Sequence, residues 1–165
     1  TLTMIMINKV CQTIKEFESK YDFDAITVNC SSSELSNRDL FDELMNIINT
    51  NGIKPQHIRL ELTESAIFDD FNMVINNMEK FNKSGIKFYL DDFGTGNSSL
   101  SLALELPFDE LKVDMSFIKD IKDKPQNQAM VQSIVDYAKR TNKESVYSTD
   151  ILLFVTFVSI ILQFT

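Results

Sequence analysis

Residues 86–96 read IKFYLDDFGTG, a short apolar run that leads directly into two aspartates and a loop with two glycines. The run Ile86–Leu90 predicts a β-strand. Before it, apolar residues at helical spacing predict a helix that ends at Gly85; they are Phe71, Val74, Ile75, Met78 and Phe81. A helix followed by a strand with polar residues at its end is the repeating unit of an α/β fold.

The same alternation of helix and strand extends in both directions along the chain. Further strands are predicted at residues 25–28, 58–62 and 110–114. Further helices are predicted from the apolar faces Ile7–Phe17, Leu40–Ile48 and Met130–Ala138, with Ser36 and Asn37 as caps of the second, and a short helical stretch is predicted at about 97–105. Four strands at this spacing predict a parallel sheet, either doubly wound or part of a (β/α)8 barrel. A complete barrel needs about 250 residues, so a chain of 165 residues would hold only part of one.

Composition narrows the possible chemistry. The 24 Asp and Glu residues outnumber the 16 Lys and Arg residues and give a net charge of −8, which argues against binding to a DNA or RNA polymer. Cys11 and Cys30 are too few for a zinc cage and predict reduced thiols in a cytoplasmic protein. His57, the single histidine, excludes metal sites that need two imidazoles and is expected to be exposed. A metal site would therefore use oxygen ligands and hold Mg²⁺ or Mn²⁺.

Polar residues follow or interrupt each predicted strand, at the edge of a parallel sheet where functional groups collect. They are Asn29, Glu61, Glu64, Asp91, Asp92, Lys112 and Asp114. Taken singly, Asn29 and Glu64 could be helix caps, and Lys112 could lie on a solvated face. Adjacent aspartates repel each other unless a cation compensates them, so Asp91 and Asp92 favour a functional interpretation. Together these residues could hold one or two hard cations and an anionic substrate.

Four segments, taken together, resemble the EAL domain, a family of phosphodiesterases that linearise cyclic di-GMP. They are VNCS at 28–31, ELTES at 61–65, DDFGTG at 91–96 and LKVDMSF at 111–117. The intervals also match, with 32 residues from Asn29 to Glu61 and 20 from Asp92 to Lys112.

The resemblance implies a modified (β/α)8 barrel with two divalent ions, Mg²⁺ or Mn²⁺, and cyclic di-GMP as the ligand. It implies four metal ligands: Asn29, Glu61, Asp91 and Asp92. It implies that Lys112 holds the catalytic water near the reacting phosphate. Glu64 would steady the loop after Asp92, and the Asp92–Gly96 region would link the metal site to a homodimer contact.

The sequence also departs from the family pattern. The name-giving Glu-Ala-Leu segment would precede Thr1, so the chain is expected to hold strands three to six of the barrel, in residues 1–144. Residues 145–165 are expected to be an apolar tail that does not belong to the family, and the role of a later family glutamate is not transferred to Glu144 or Asp150. The tail is open to three interpretations: out-of-frame or degenerate sequence, a segment packed on an open edge, or a membrane anchor, which its short length disfavours.

Three hypotheses about function follow. The first is a partial cyclic di-GMP phosphodiesterase domain that hydrolyses little substrate on its own, because an open barrel exposes sheet edges and part of a core. The second is a degenerate, non-catalytic module that binds cyclic di-GMP or a protein. The third is a fragment without function.

Overall fold

A computed structural model shows a parallel sheet with helices in the connections, and it describes residues 2–63, 70–93, 105–119, 121–141 and 144–147. The strands are β1 (Ile26–Asn29), β2 (Ile58–Thr63), β3 (Lys87–Phe93), β4 (Glu110–Val113) and β5 (Glu144–Tyr147). The helices are α1 (Leu2–Phe17), α2 (Ser32–Leu35), α3 (Leu40–Thr50), α4 (Phe71–Ser84), α5 (Met115–Ile118) and α6 (Pro125–Thr141), and a single 3₁₀ turn covers Pro55–His57.

The order of the strands decides between the two architectures that the sequence leaves open. The strands are hydrogen-bonded in the order β1-β2-β3-β4-β5, and every pair is parallel. A doubly wound sheet reverses its strand order at a switch point, whereas a (β/α)8 barrel keeps strands in sequence. The sheet is therefore an arc of a barrel, which confirms the α/β class and the partial barrel.

The two faces of the sheet differ in chemistry. On the outer face, apolar side chains from the strands pack against the helices; the buried ones include Val28, Leu60, Leu62, Phe88, Leu90, Leu111 and Val113. Edge-to-face aromatic contacts extend this core, with ring centroids 5.0 Å apart for Phe41 and Phe81 and 5.9 Å apart for Phe81 and Phe88. The alternate residues, which include Glu61 and Lys112, face the inside of the arc.

The helix boundaries follow the apolar spacing, but one capping prediction is wrong. The αL residue Gly85, with φ +100°, ends α4 as predicted. Asp39 holds the N-cap position of α3 without a side-chain cap hydrogen bond, and Asn37 Oδ1 accepts from the Asp39 amide at 3.1 Å in the turn that leads into the helix, whereas Ser36 does not cap α3. Ser36 instead ends α2, a helix that the sequence analysis does not predict. Phe17, predicted on the buried face of α1, is 39% exposed.

The structure contains a fifth strand where the sequence predicts none. Strand β5 pairs with β4 in a regular register, with Glu110 opposite Glu144 and Val113 opposite Tyr147. The apolar stretch 151–165 and residues 97–104 of the predicted short helix lie outside the described residues. Across the described ranges, no helix is both long enough and apolar enough to cross a membrane.

The amino-terminal ends of the strands carry a polar cluster of their own. The His57 side chain is not exposed as predicted: it retains 24% exposure, its Nδ1 lies 2.9 Å from the Asp24 carbonyl oxygen, and its ring packs on Phe23 with centroids 5.3 Å apart. The Asp24 carboxylate forms an ion pair with Arg59. These contacts attach the loop before β1 to β2, at the rim opposite the predicted site.

Candidate functional site

Asn29, Glu61 and Asp91 lie near the carboxyl ends of three adjacent strands. Asn29, the last residue of β1, is directly opposite Glu61 of β2. Asp91 of β3 is opposite Thr63, two residues beyond Glu61. Since side chains alternate along a strand and directly opposed residues share a face, all three lie on the inner face. Two strand spacings, about 10 Å, separate β1 from β3.

Lys112 of β4 reaches across β3 to form an ion pair with Glu61 of β2. Its Nζ contacts Glu61 Oε1, and the two side chains keep 26% and 12% exposure. Strands β2 and β4 are not neighbours, so the pair spans the strand between them. Each charge would be costly in this half-buried position without the other. The pair therefore holds an ammonium group beside a carboxylate that is predicted to bind metal.

The aromatic ring of Tyr89 lies between these charged groups and is 7% exposed. The Arg59 guanidinium carbon is 5.1 Å from the ring centroid, and Lys112 Nζ is 6.0 Å from it. Both distances fall within the range of cation–π attraction. The ring and the two cations thus line the inner face below the strand ends.

The Asp91–Asp92 pair coincides with an irregularity in the pairing of β3 and β4. Leu90 is opposite Leu111 and Phe93 is opposite Val113, so three steps along β3 match two along β4. An extra residue in one strand is a β-bulge, which breaks the regular alternation of side chains and occurs often beside active sites. The structure thus places a backbone irregularity at the two aspartates.

The described donors fit a hard divalent cation. Asn29 offers an amide oxygen, and Glu61 and Asp91 offer carboxylate oxygens, the ligands that Mg²⁺ and Mn²⁺ prefer. The Asn29 side chain is exposed, and no hydrogen bond or ion pair joins the Asp91 carboxylate to another described residue. No group of three His, Cys, Asp or Glu side chains within the described ranges forms a metal cluster. Since Mg²⁺ keeps several waters and binds through one or two carboxylates plus substrate phosphates, a sparse set of protein ligands suits it.

Some of the predicted site residues cannot be placed. Glu64 and residues 94–96, predicted to steady the site and to contribute to a dimer, lie outside the described residues. The backbone of Asp92 belongs to β3, but its side chain is not among those that the structure describes.

The structure also shows a polar cluster beside Asn29 that the sequence analysis missed. Glu34 of α2 accepts hydrogen bonds from Ser31 and from Thr3 of α1. The signal was present in the sequence, because Ser31-x-x-Glu34 is a capping-box pattern, and the structure contains both reciprocal bonds.

This cluster changes the acidity of two groups. Burial alone would raise the pKa of Glu34, but the hydrogen bonds from Thr3 and Ser31 outweigh it and lower that pKa to about 2. Burial, together with the nearby Glu34 charge, raises the pKa of Cys30 to about 12. At neutral pH the cluster therefore contains a carboxylate and a protonated thiol.

Comparisons with known proteins show which family the chain resembles. The family model for the EAL domain matches residues 1–149. The chain is 31% identical over 136 residues to the cyclic di-GMP phosphodiesterase NbdA of Pseudomonas aeruginosa, a match that covers 82% of this chain and 17% of that protein. It is 33% identical over 152 residues to the cyclic di-GMP phosphodiesterase PdeA of Borreliella burgdorferi, covering 90% of this chain and 23% of that protein.

A solved structure gives the same result at the level of the fold. The PaMucR phosphodiesterase in complex with c-di-GMP superimposes with a TM-score of 0.76 at 28% identity, covering 90% of this chain and 62% of that one. The chain spans less than a quarter of the length of the two curated relatives, NbdA and PdeA.

Proposed function

Because this chain belongs to the EAL domain family, we propose that it is a cyclic di-GMP phosphodiesterase domain whose divalent cations bind at the carboxyl ends of the strands. The observation that carries the proposal is the convergence of Asn29, Glu61 and Lys112 on one face of the sheet. Cyclic di-GMP is the proposed substrate because two relatives are named cyclic di-GMP phosphodiesterases. The oxygen ligands at the strand ends support a hard cation.

The roles of the cation ligands follow from donor chemistry. Asn29, Glu61, Asp91 and Asp92 are the proposed ligands of two Mg²⁺ or Mn²⁺ ions. When bound, such ions would make water a better nucleophile and offset charge on the phosphoryl oxygens. Glu64 is proposed to steady the loop that follows Asp92.

Lys112 supplies positive charge to the phosphate. Its ammonium group has three N–H donors, and the contact with Glu61 uses only part of that capacity. The remaining donors can bind a phosphate oxygen and the attacking water, and the charge favours the anionic transition state over the substrate. Tyr89 and Glu61 hold the ammonium in place while it does so.

The reaction itself is the addition of one water across one phosphodiester bond. The water oxygen forms a new bond to phosphorus, the opposite P–O bond to the ribose breaks, and the ribose oxygen takes a proton. The ring of the dinucleotide opens and a linear dinucleotide leaves. In this reaction, the residues of this chain are proposed to bind the cations and the phosphate, to orient the attacking water and to stabilise the negative charge of the transition state.

The polypeptide of 165 residues contains no Glu-Ala-Leu sequence. In the family, the glutamate of that segment is a metal ligand, so we expect this polypeptide by itself to bind cyclic di-GMP and cations but to hydrolyse slowly. Both cysteines are free and buried, which supports our proposal that the domain works in the reducing cytoplasm. A homodimer contact at residues 92–96 remains part of the proposal.

Calorimetric titration with cyclic di-GMP tests the proposal. The titration is run in MnCl₂ and again in excess chelator, with product analysis on the same samples. We expect binding in Mn²⁺, a loss of affinity of at least tenfold in chelator, and a similar loss in Lys112→Ala. Equal affinity in both buffers would instead support the alternative of a non-catalytic binding module, and absence of binding in both would contradict the proposal.

Lys87→Ala is the matched control for Lys112→Ala. Lys87 is exposed and is the first residue of β3, near the opposite rim. Its replacement by alanine removes the same charge as Lys112→Ala. We expect its affinity for cyclic di-GMP to remain within about twofold of the original protein. An equal loss in both variants would show that net charge, and not the position of Lys112, controls binding.

A further inference from the structure

The carboxylate of Glu34 joins two segments that are far apart in sequence. Its Oε2 accepts hydrogen bonds from Thr3 Oγ1 at 2.7 Å, Ser31 Oγ at 2.9 Å and the Ser31 amide at 3.2 Å. Its Oε1 accepts the Thr3 amide at 3.3 Å. Four donors therefore converge on one side chain, and they come from the first turn of α1 and from the residue that caps α2.

Both segments lie beside the end of β1. Ser31 follows Asn29 by two residues, and Thr3 Oγ1, whose single proton is donated to Glu34, packs 3.5 Å from the carbonyl oxygen of Asn29. On the other side of the strand, the amide of Cys30 donates to the Glu61 carbonyl oxygen at 2.8 Å. The backbone around Asn29 is thus held from β2 on one side and by the Glu34 cluster on the other.

We propose that Glu34 is a positioning residue that fixes the backbone of Asn29, and with it the amide that the proposed function assigns to a divalent cation. The inference rests on the proposed function for the role of Asn29, but the contacts that hold the backbone do not depend on it. Glu34 acts through Thr3 and Ser31 and does not touch the cation.

The chemistry of the cluster calls for a carboxylate at this position. All four partners are donors, and an ionised carboxylate offers only acceptor sites. Burial raises the pKa of Glu34, but the hydrogen bonds to its charged form outweigh this effect and lower the pKa to about 2, so Glu34 stays ionised. A glutamine whose oxygen takes the Oε2 position keeps the bonds from Thr3 Oγ1, Ser31 Oγ and the Ser31 amide, and it loses only the 3.3 Å bond from the Thr3 amide, which then faces its amino group. An alanine leaves all four donors without this partner.

Three variants test the proposal: Glu34→Ala, Glu34→Gln and the control Glu43→Ala. Glu43 is an exposed carboxylate in the first turn of α3, so its removal changes the net charge equally without touching β1. Amide hydrogen exchange and the side-chain amide resonances of Asn29 are measured by NMR, and Mn²⁺ affinity is measured by titration. Removal of groups that orient a metal ligand typically weakens metal binding about 10–100-fold.

In Glu34→Ala, we expect at least tenfold faster exchange at the Cys30 and Ser31 amides, a shift of the Asn29 side-chain resonances, and at least tenfold weaker Mn²⁺ binding. Glu34→Gln should restore most of each property, and Glu43→Ala should change none. Exchange at the Phe88 amide, which donates to the half-buried Asp109 carboxylate at 3.0 Å, should stay unchanged in all three variants.

Two results would overturn the proposal. One is that the Cys30 and Ser31 amides exchange no faster in Glu34→Ala than in Glu43→Ala. The other is acceleration at Phe88 equal to that at Cys30, which would show general destabilisation only. If the original protein binds no Mn²⁺, the proposed function fails, and the exchange rates and Asn29 resonances still decide whether Glu34 positions this strand end.

Discussion

Lys112 and Glu61 show what could be predicted about single residues and what could not. Both were predicted as site residues because polar groups at the ends of parallel strands meet at one edge of the sheet. Their direct ion pair was not predicted, because they lie on strands separated by β3 and the pairing depends on side-chain conformations. Sequence spacing specifies the rim at which a residue lies, but not which partner its side chain reaches.

The ion pair predicts a measurable coupling energy. Lys112→Met leaves the Glu61 carboxylate half-buried without its partner, and we expect a loss of about 1–2 kcal/mol in the free energy of unfolding. Glu61→Gln removes the charge that needs a partner, so the double variant should be more stable than the sum of the single effects by at least about 0.5 kcal/mol. Urea unfolding of the four proteins measures this coupling. Additive effects would mean that the two charges do not interact in solution.

At the scale of elements, long amphipathic segments were predicted well and short ones were not. Helices α1, α3, α4 and α6 and strands β1 to β4 follow from apolar spacing. Helix α2 has four residues, too few for periodicity, and depends on the capping box of Ser31 and Glu34. Strand β5 also has four residues, and it forms where β4 offers a partner edge, which local sequence does not reveal.

The capping box of α2 predicts a pH dependence of stability. The pKa of Glu34 is about 2 in the folded protein and near its ordinary value of 4.5 when unfolded, so the unfolded chain binds more protons between these values. Stability from this group is therefore complete above about pH 4.5 and is lost as the pH falls toward 2. We expect the original protein to lose on the order of 2 kcal/mol relative to Glu34→Gln across this window.

Urea unfolding of both proteins at several pH values measures this difference. Glu34→Gln lacks the titrating group, so the titration of other carboxylates cancels in the comparison. Parallel stability curves for the two proteins would contradict the account of Glu34.

The glycine that ends α4 gives a second test at the element scale. Gly85 has φ +100°, and an added Cβ would lie 3.1 Å from Gln56 Cγ, whereas Gly52, with φ +70°, has open space around the same position. Both alanine variants are strained by positive φ, at a cost of about 1 kcal/mol. We expect Gly85→Ala to be less stable than Gly52→Ala in thermal unfolding, because Gln56 must also move. Equal midpoints would show that the contact with Gln56 adds no cost.

At the scale of the whole molecule, the barrel-like order of strands brings the predicted ligands to one rim. The sequence alone was compatible with a doubly wound sheet, in which strand order reverses. The sequential parallel order instead places Asn29, Glu61 and Asp91 on neighbouring strands with a common inner face. Strand order depends on contacts between segments that are distant in sequence. Apolar periodicity reports only local structure, so it does not distinguish a barrel from a doubly wound sheet.

Paramagnetic broadening by Mn²⁺ in NMR spectra tests this convergence most directly, because broadening falls steeply with distance from the ion. We predict that the amide signals of Asn29, Glu61, Asp91 and Lys112 disappear first as Mn²⁺ is added. Those of Gln56 and Lys87, at the opposite rim, should persist to higher concentrations. Broadening that is centred away from the strand ends, or that spreads evenly over the protein, would contradict a cation site at this rim.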